Sequence, residues 1–188
     1  MLIGAKAGVP IMDPFVLSSD NAITNNYTFE TKRFIAGPSF QMKLPFKVGF
    51  EADALYRRLH YESNPFLFNT LHASTDASSW EFPLMVTRAL PVRYLHAYGG
   101  IGVSLAHVSG QTDFSNTLLQ SRTPLELANT WNTGGVVAGG IDIRHGRLHY
   151  QPEIRYTRWG TRNFASGNGL FNSNLNSIDL LIGVAFGK

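Results

Sequence analysis

The chain has 188 residues, enough for one domain with a sizeable core or for a small closed barrel. Hydrophobic residues make up 44% and charged residues only 15%, and the formal charge of +3 is carried by scattered lysines and arginines, which excludes the basic stripe of a nucleic-acid binder. The absence of cysteine excludes a disulfide scaffold and thiolate metal sites.

No stretch approaches the roughly 20 consecutive apolar residues of a spanning helix. A mean hydropathy of -0.07 is that of a soluble chain, but hydropathy is nearly blind to membrane strands, because these alternate. The chain opens MLIGAKAGVP, without the basic and apolar regions of a secretory signal, so any such signal is expected to have been removed.

A period of two recurs throughout, interrupted by stretches rich in Gly, Asn, Ser and Asp, and this predicts an all-β chain. The first strand, about Leu2 to Val9, sets Ile3, Ala5, Ala7 and Val9 opposite Gly4, Lys6 and Gly8; the polar stretch PIMDPFVLSSDNAITNNYT follows. The second, about Thr31 to Met42, sets Phe34, Ala36, Pro38, Phe40 and Met42 against Arg33, Ile35, Gly37, Ser39 and Gln41. Through the tight connection KLPF it forms a hairpin with the third, where Val48, Phe50, Ala52, Ala54 and Tyr56 oppose Gly49, Glu51, Asp53, Leu55 and Arg57.

After the polar stretch ESNPFLFNTLHASTDAS, the fourth strand sets Trp80, Phe82, Leu84 and Val86 against Glu81, Pro83, Met85 and Thr87, and RALP turns the chain. The fifth places Leu95, Ala97, Ile101, Val103 and Leu105 opposite Tyr94, His96, Tyr98, Gly100, Gly102 and Ser104, ahead of the loop SGQTDFSNTLLQSRTPLELAN. The sixth, about Thr130 to Arg144, has Trp131, Val137, Ile141 and Ile143 opposite Asn132, Ala138, Asp142 and Arg144. A short HGR turn leads to the seventh, His149 to Trp159, with Tyr150, Pro152, Ile154 and Tyr156 on one face and His149, Gln151, Glu153, Arg155 and Thr157 on the other. Beyond RNFASGNGLFNSN, the last strand sets Ile178, Leu180, Ile182, Val184 and Phe186 against Ser177, Asp179, Leu181, Gly183 and Ala185.

Eight strands with connections alternating long and short put every long loop at one end of an up-and-down meander and every tight turn at the other, as in outer-membrane barrels. One face is apolar and carries aromatics toward strand ends: Phe40, Phe50, Tyr56, Trp80, Phe82, Trp131, Tyr150, Tyr156 and Phe186, an arrangement expected of a lipid-facing interfacial girdle. The other mixes glycines with Lys6, Glu51, Asp53, Arg57, Glu81, Glu153, Arg155 and Asp179, the small-and-charged mixture that a narrow lumen accepts. Alternation does not say which face is inside. In a soluble lipocalin-like barrel the apolar face would line a ligand cavity and the charges would meet water. Pro38, Pro83 and Pro152 count against any barrel, since each lacks a ladder donor, and Trp159 falls on the charged parity, which places it above the membrane or past a bulge.

The stretches GAKAGVP, RFIAGPSFQMKLPFKVGFEADALYRR, YGGIGVSLAH, PEIRYTRW and IDLLIGVAF resemble the bacterial outer-membrane β-barrel proteins of the eight-stranded OmpA-like group, over nearly the whole chain. The resemblance implies a single eight-stranded antiparallel up-and-down transmembrane barrel in a Gram-negative outer membrane. It also implies a non-enzymatic, structural or narrow porin-like role, with outer-membrane lipid as partner; a monomer is favoured, while the sequence leaves the oligomeric state open. Phe186 is followed by Gly187 and Lys188, whereas barrels of this group often end on the aromatic.

The charged face predicts a paired ionic network. A catalytic reading rests on His107 and Ser109 in AHVSG, whose spacing is similar to that of lipid A deacylases; the neighbouring strand offers Trp131 and Thr133 on that face, and no acid to orient the histidine. Phe15, Phe66, Phe68, Phe114, Phe164 and Phe171 in the loops are candidates for a surface ligand or for packing over the barrel mouth. His145 and His149 flank a turn without a third metal ligand, and His96 falls on the lumen face. No catalytic residue, metal or cofactor is assigned.

Overall fold

The alternation becomes strand along most of the chain. The computed structural model describes residues 1–17, 25–29, 34–65, 73–92, 96–114, 120–121, 127–164 and 171–187. Its strands are β1 (Leu2–Pro10), β2 (Phe15–Leu17), β3 (Asn25–Phe29), β4 (Ile35–Lys43), β5 (Val48–Asp53), β6 (Leu55–Pro65), β7 (Ala73–Ala89), β8 (Ala97–Phe114), β9 (Gln120–Ser121), β10 (Trp131–Ile141), β11 (Ile143–His145), β12 (Leu148–Trp159), β13 (Phe171–Ser173) and β14 (Asn176–Gly187). Among the described residues no helix is long and apolar enough to cross a membrane, which says nothing about strands.

The barrel is closed and eight-stranded, with β5 and β6 acting as one strand and β10 and β11 as another. Each stave pairs antiparallel with its sequence neighbour, and β1 closes the circle on β14 from Leu2↔Gly187 to Pro10↔Asp179. Stepping across paired residues from Gly187 through Leu2, Gln41, Glu51, Met85, Gly102, Val136 and Thr157 returns to β14 at Ser177, ten residues away. With about 3.3 Å per residue and about 4.8 Å between strands, that stagger tilts the staves about 40° and leaves an interior that side chains can fill.

All three strand prolines explain breaks in the ladder. Pro38 faces Ala54, accepting its N–H at 3.0 Å but returning no donor. Pro83 stands beside the same gap on the other side, between the pairs Ala52↔Leu84 and Leu55↔Glu81. The β10/β11 gap lies opposite Pro152, between Gly140↔Glu153 and Ile143↔Tyr150. Register is kept across each gap, with equal numbers of residues on both strands, so no bulge is needed and each proline costs ladder bonds without turning the side chains over.

Two expectations are corrected. The fourth and fifth strands are much longer than the apolar segments expected at 80–87 and 94–105: β7 has 17 residues and β8 18, and with β6 they take in 62–65, 73–78 and 109–114 of the polar stretches assigned to loops. Ser-, Thr- and Asp-rich alternation carries no apolar signal, yet backbone pairing continues through it from Leu55↔Glu81 to Ser63↔Ala73. The sixth strand, expected to be continuous from 130 to 144, is interrupted at Asp142. Thr31 to Arg33, assigned to the second strand, lie outside the described residues.

The loop end is capped. β2 pairs with β13, and Phe15 and Phe164 meet edge to face with ring centroids 5.5 Å apart, packed with Ala77 and Val108 and flanked by Leu59 and Leu127.

Candidate functional site: the charged lumen

Closure decides the question of faces. All eight charged residues named above are buried, Lys6 at 1% and Arg155 at 2% exposure, while the apolar parity lies on the outer wall. Lys6 projects from β1 and Arg155 from β12 to a shared set of carboxylates. Lys6 Nζ donates to Glu51 Oε1 at 2.5 Å and Glu153 Oε2 at 2.7 Å, with Asp53 Oδ2 at 3.3 Å. Arg155 donates from Nη2 to Glu51 Oε1 at 3.0 Å and Asp53 Oδ2 at 2.8 Å, and from Nε to Glu153 Oε1 at 2.8 Å. Two cations thus hold three carboxylates.

Nearer the loop end, Arg57 Nη2 lies 3.1 Å from Glu81 Oε1 and donates to Asp179 Oδ2 at 3.0 Å. These partners come from sequence separations of up to 147 residues, so register alone brings them together. Gly183 lies across from both Lys6 and Gln151, and a Cβ built on it would stand 3.4 Å from Lys6 Cγ, so the glycine leaves room for the lysine stem.

The network extends to neutral side chains that lay on the lumen parity but lacked the charge that drew attention. Gln41 and Gln151 exchange amide hydrogen bonds at 2.8 and 3.0 Å, Gln41 also donates to Glu51, and Tyr98 donates its hydroxyl to Glu153 Oε2 at 2.8 Å. At the turn end Asp142 Oδ1 is 2.7 Å from His149 Nδ1, and Asp142 Oδ2 accepts from Arg144 at 2.7 Å. His149 is therefore a buried lumen residue, not only a turn flank; His96, expected in the lumen, is exposed at its mouth.

The two ends differ. Toward the turns a cavity of about 480 Å³ opens, floored by Glu51, Gln41, Gln151 and Tyr98 and rimmed by Lys43, Lys47 and Arg144. Toward the loops, the described residues leave a space of about 60 Å³ between Arg57, Glu81, Trp159 and the Phe15/Phe164 cap. Trp159 keeps the charged parity, half-buried under that cap, and no bulge turns it outward.

On the outer wall the nine girdle residues fall at two levels. Phe40, Phe50, Tyr150 and Phe186 lie toward the turns; Tyr56, Trp80, Phe82, Trp131 and Tyr156 lie toward the loops. Tyr56, Trp80, His107 and Trp131 are successive cross-strand neighbours over four staves, with Tyr56 and Trp80 rings 5.3 Å apart and His107 and Trp131 rings 4.6 Å apart. His107 thus sits in an aromatic row, its ring tilted 55° against that of Trp131. Ser109 Oγ lies 3.1 Å from Ser78 Oγ, and no hydrogen bond between His107 and Ser109 or from His107 to an acid is found among the described residues. Among those residues no cluster of metal-ligating side chains forms.

Of the loop phenylalanines, Phe15 and Phe164 are buried in the cap; Phe66 and Phe68 lie outside the described residues, and Phe114 and Phe171 are described in backbone only, within β8 and β13.

A closed antiparallel barrel of eight strands with a polar, ion-paired interior and an apolar exterior is the class these features define. No protein-family model and no curated protein sequence matches the chain. The chain is similar in structure to Neisserial surface protein A (NspA), at 15% identity and a TM-score of 0.53, covering 98% of this chain and 95% of that one. At that identity the likeness shows the fold.

Proposed function

We propose that the chain is a non-enzymatic outer-membrane barrel whose lumen is plugged by its ion-pair network, a structural protein of the membrane wall. The observation that carries this reading is the inversion of polarity: buried charges paired inside, and an outer wall bearing exposed Ile3, Leu84, Ile101, Val103, Ile154 and Ile182 between two aromatic levels. Phe50 and Tyr56 on one stave, and Tyr150 and Tyr156 on another, are six residues apart, about 15 Å along the barrel axis at this tilt. With the rings themselves the band matches the apolar height of about 25 Å of an outer-membrane barrel. A soluble lipocalin-like barrel would require the opposite arrangement.

The test is solubility and gel mobility. The folded protein is expected to need detergent, and to migrate faster unboiled than boiled; a monomer that stays soluble without detergent and shows unchanged mobility would refute the membrane reading. The loop-end cap favours the plug over a narrow porin-like path. A role in surface binding draws support from the strands β3, β6, β7, β8 and β9, which continue as a sheet past the aromatic row at Tyr56 and Trp80. Variants shortened at 61–75 and 110–121 that lost a cell-surface binding phenotype while keeping the heat-dependent mobility would locate it there.

A further inference from the structure

The turn end carries a charge pattern that the plugged-barrel reading does not use. The three turn sequences KLPFK, RALPVRYLH and RHGR hold six Lys or Arg and no acidic residue, in a chain with 16 basic and 13 acidic residues overall. Asp142, two residues before Arg144 in the chain, is buried and engaged by Arg144 and His149.

Two of these turns stand side by side, because Val48 pairs with Arg88 where β5 meets β7. Their tips are apolar and exposed: Leu44 at 42%, Phe46 at 93%, Leu90 and Val92 at 47%. Phe46 and Lys47 occupy left-handed backbone, at φ of 64° and 61°, a region that only glycine enters without strain. That conformation holds a phenylalanine almost wholly clear of the protein, beside Lys47 and three residues from Lys43, just beyond Met42 and beyond Phe50 of the turn-side aromatic level. Phe46 and Lys47 are the two central residues of the tight turn Pro45–Val48, closed by Val48 N–H donating to Pro45 O between β4 and β5. Such a turn needs positive φ at both positions and is ordinarily filled by Asn and Gly, so Phe and Lys stand there at a conformational cost that the turn alone does not call for.

We propose that this pair of turns is an interfacial foot that binds anionic phospholipid headgroups in the turn-side leaflet, with Phe46, Leu44, Leu90 and Val92 seated at the headgroup boundary and Lys43, Lys47 and Arg88 on the phosphates. Charge complementarity selects the occupant: a headgroup with net negative charge meets cations that have no acidic neighbour in these turns, and the apolar tips continue the outer wall toward the same boundary. The inference rests on the outer-membrane reading.

Wild type and the double variant Lys43→Gln/Lys47→Gln would be folded into vesicles of phosphatidylcholine alone and of phosphatidylcholine with phosphatidylglycerol, and urea unfolding measured in each. Wild type is expected to be more stable in the anionic vesicles, with the gain screened by high salt. The double variant should lose most of that gain, about fivefold in the folding equilibrium for each lysine, while matching wild type in phosphatidylcholine. No anionic gain in wild type, or a gain that the double variant keeps in full, overturns the foot. A wild type that inserts into neither vesicle refutes the membrane reading itself, and the foot with it; insertion into phosphatidylcholine without an anionic gain refutes the foot alone.

Discussion

Arg155 shows how much of this interior depends on single side chains. It donates to Glu51, Asp53 and Glu153 at once, and without it three carboxylates would face Lys6 alone. Removing one partner from a buried ionic set costs about 3–5 kcal/mol, because the remaining charges stay desolvated. Arg155→Ala is therefore expected to lower stability by that order in urea unfolding from vesicles. Tyr98→Phe, which removes one hydroxyl bond to Glu153, should cost about 1.5–3 kcal/mol. Arg58→Gln breaks the pair between Arg58 and Asp76, whose side chains are 58% and 51% exposed, and should stay under about 1 kcal/mol. Equal losses for all three would contradict the burial that separates them. The eight charged members were legible as a set from parity and charge. Their pairing was not, and Gln41, Tyr98, Asp142, Gln151 and His149 were passed over because polar neutral side chains and a turn-end acid do not stand out until the lumen has walls.

At the scale of the strand, alternation located every stave, and the prolines that argued against a barrel only interrupt its ladder. Pro38→Ala would restore a donor toward Ala54, a gain of about 0.5–1.5 kcal/mol, set against about 0.4–1 kcal/mol lost when the unfolded chain becomes less restricted. Its net change in unfolding free energy is expected to stay within about 1 kcal/mol; a large loss would mean that the proline ring itself packs. Gly183→Val should be the costlier change, by about 1–3 kcal/mol in the same assay, since the new side chain would press on the Lys6 stem and Gln151. The lengths of β7 and β8 were hidden because their outer halves carry polar residues on both faces, and there pairing between backbones holds the strand without an apolar signal in the side chains.

For the whole molecule, the stagger of ten residues over eight staves fixes the tilt and makes the bore narrow enough for paired side chains to fill. The Phe15/Phe164 cap and the Arg57 cluster close one end, while the other opens into the cavity among the turns. Planar bilayers containing wild type or Arg155→Ala are accordingly expected to show no discrete single-channel current. A steady current in wild type would replace the plug with a pore.

By itself the sequence determined the period of two, the membership of each face, the tight turns and their basic charge, because these depend on neighbours along the chain and on side-chain chemistry. Only the tertiary structure decided which face is enclosed, since reversing inside and outside leaves alternation unchanged. Closing β1 onto β14 removes that symmetry: one parity then points to the axis, and Lys6, Glu51, Glu153 and Arg155, distant in sequence, become one buried network.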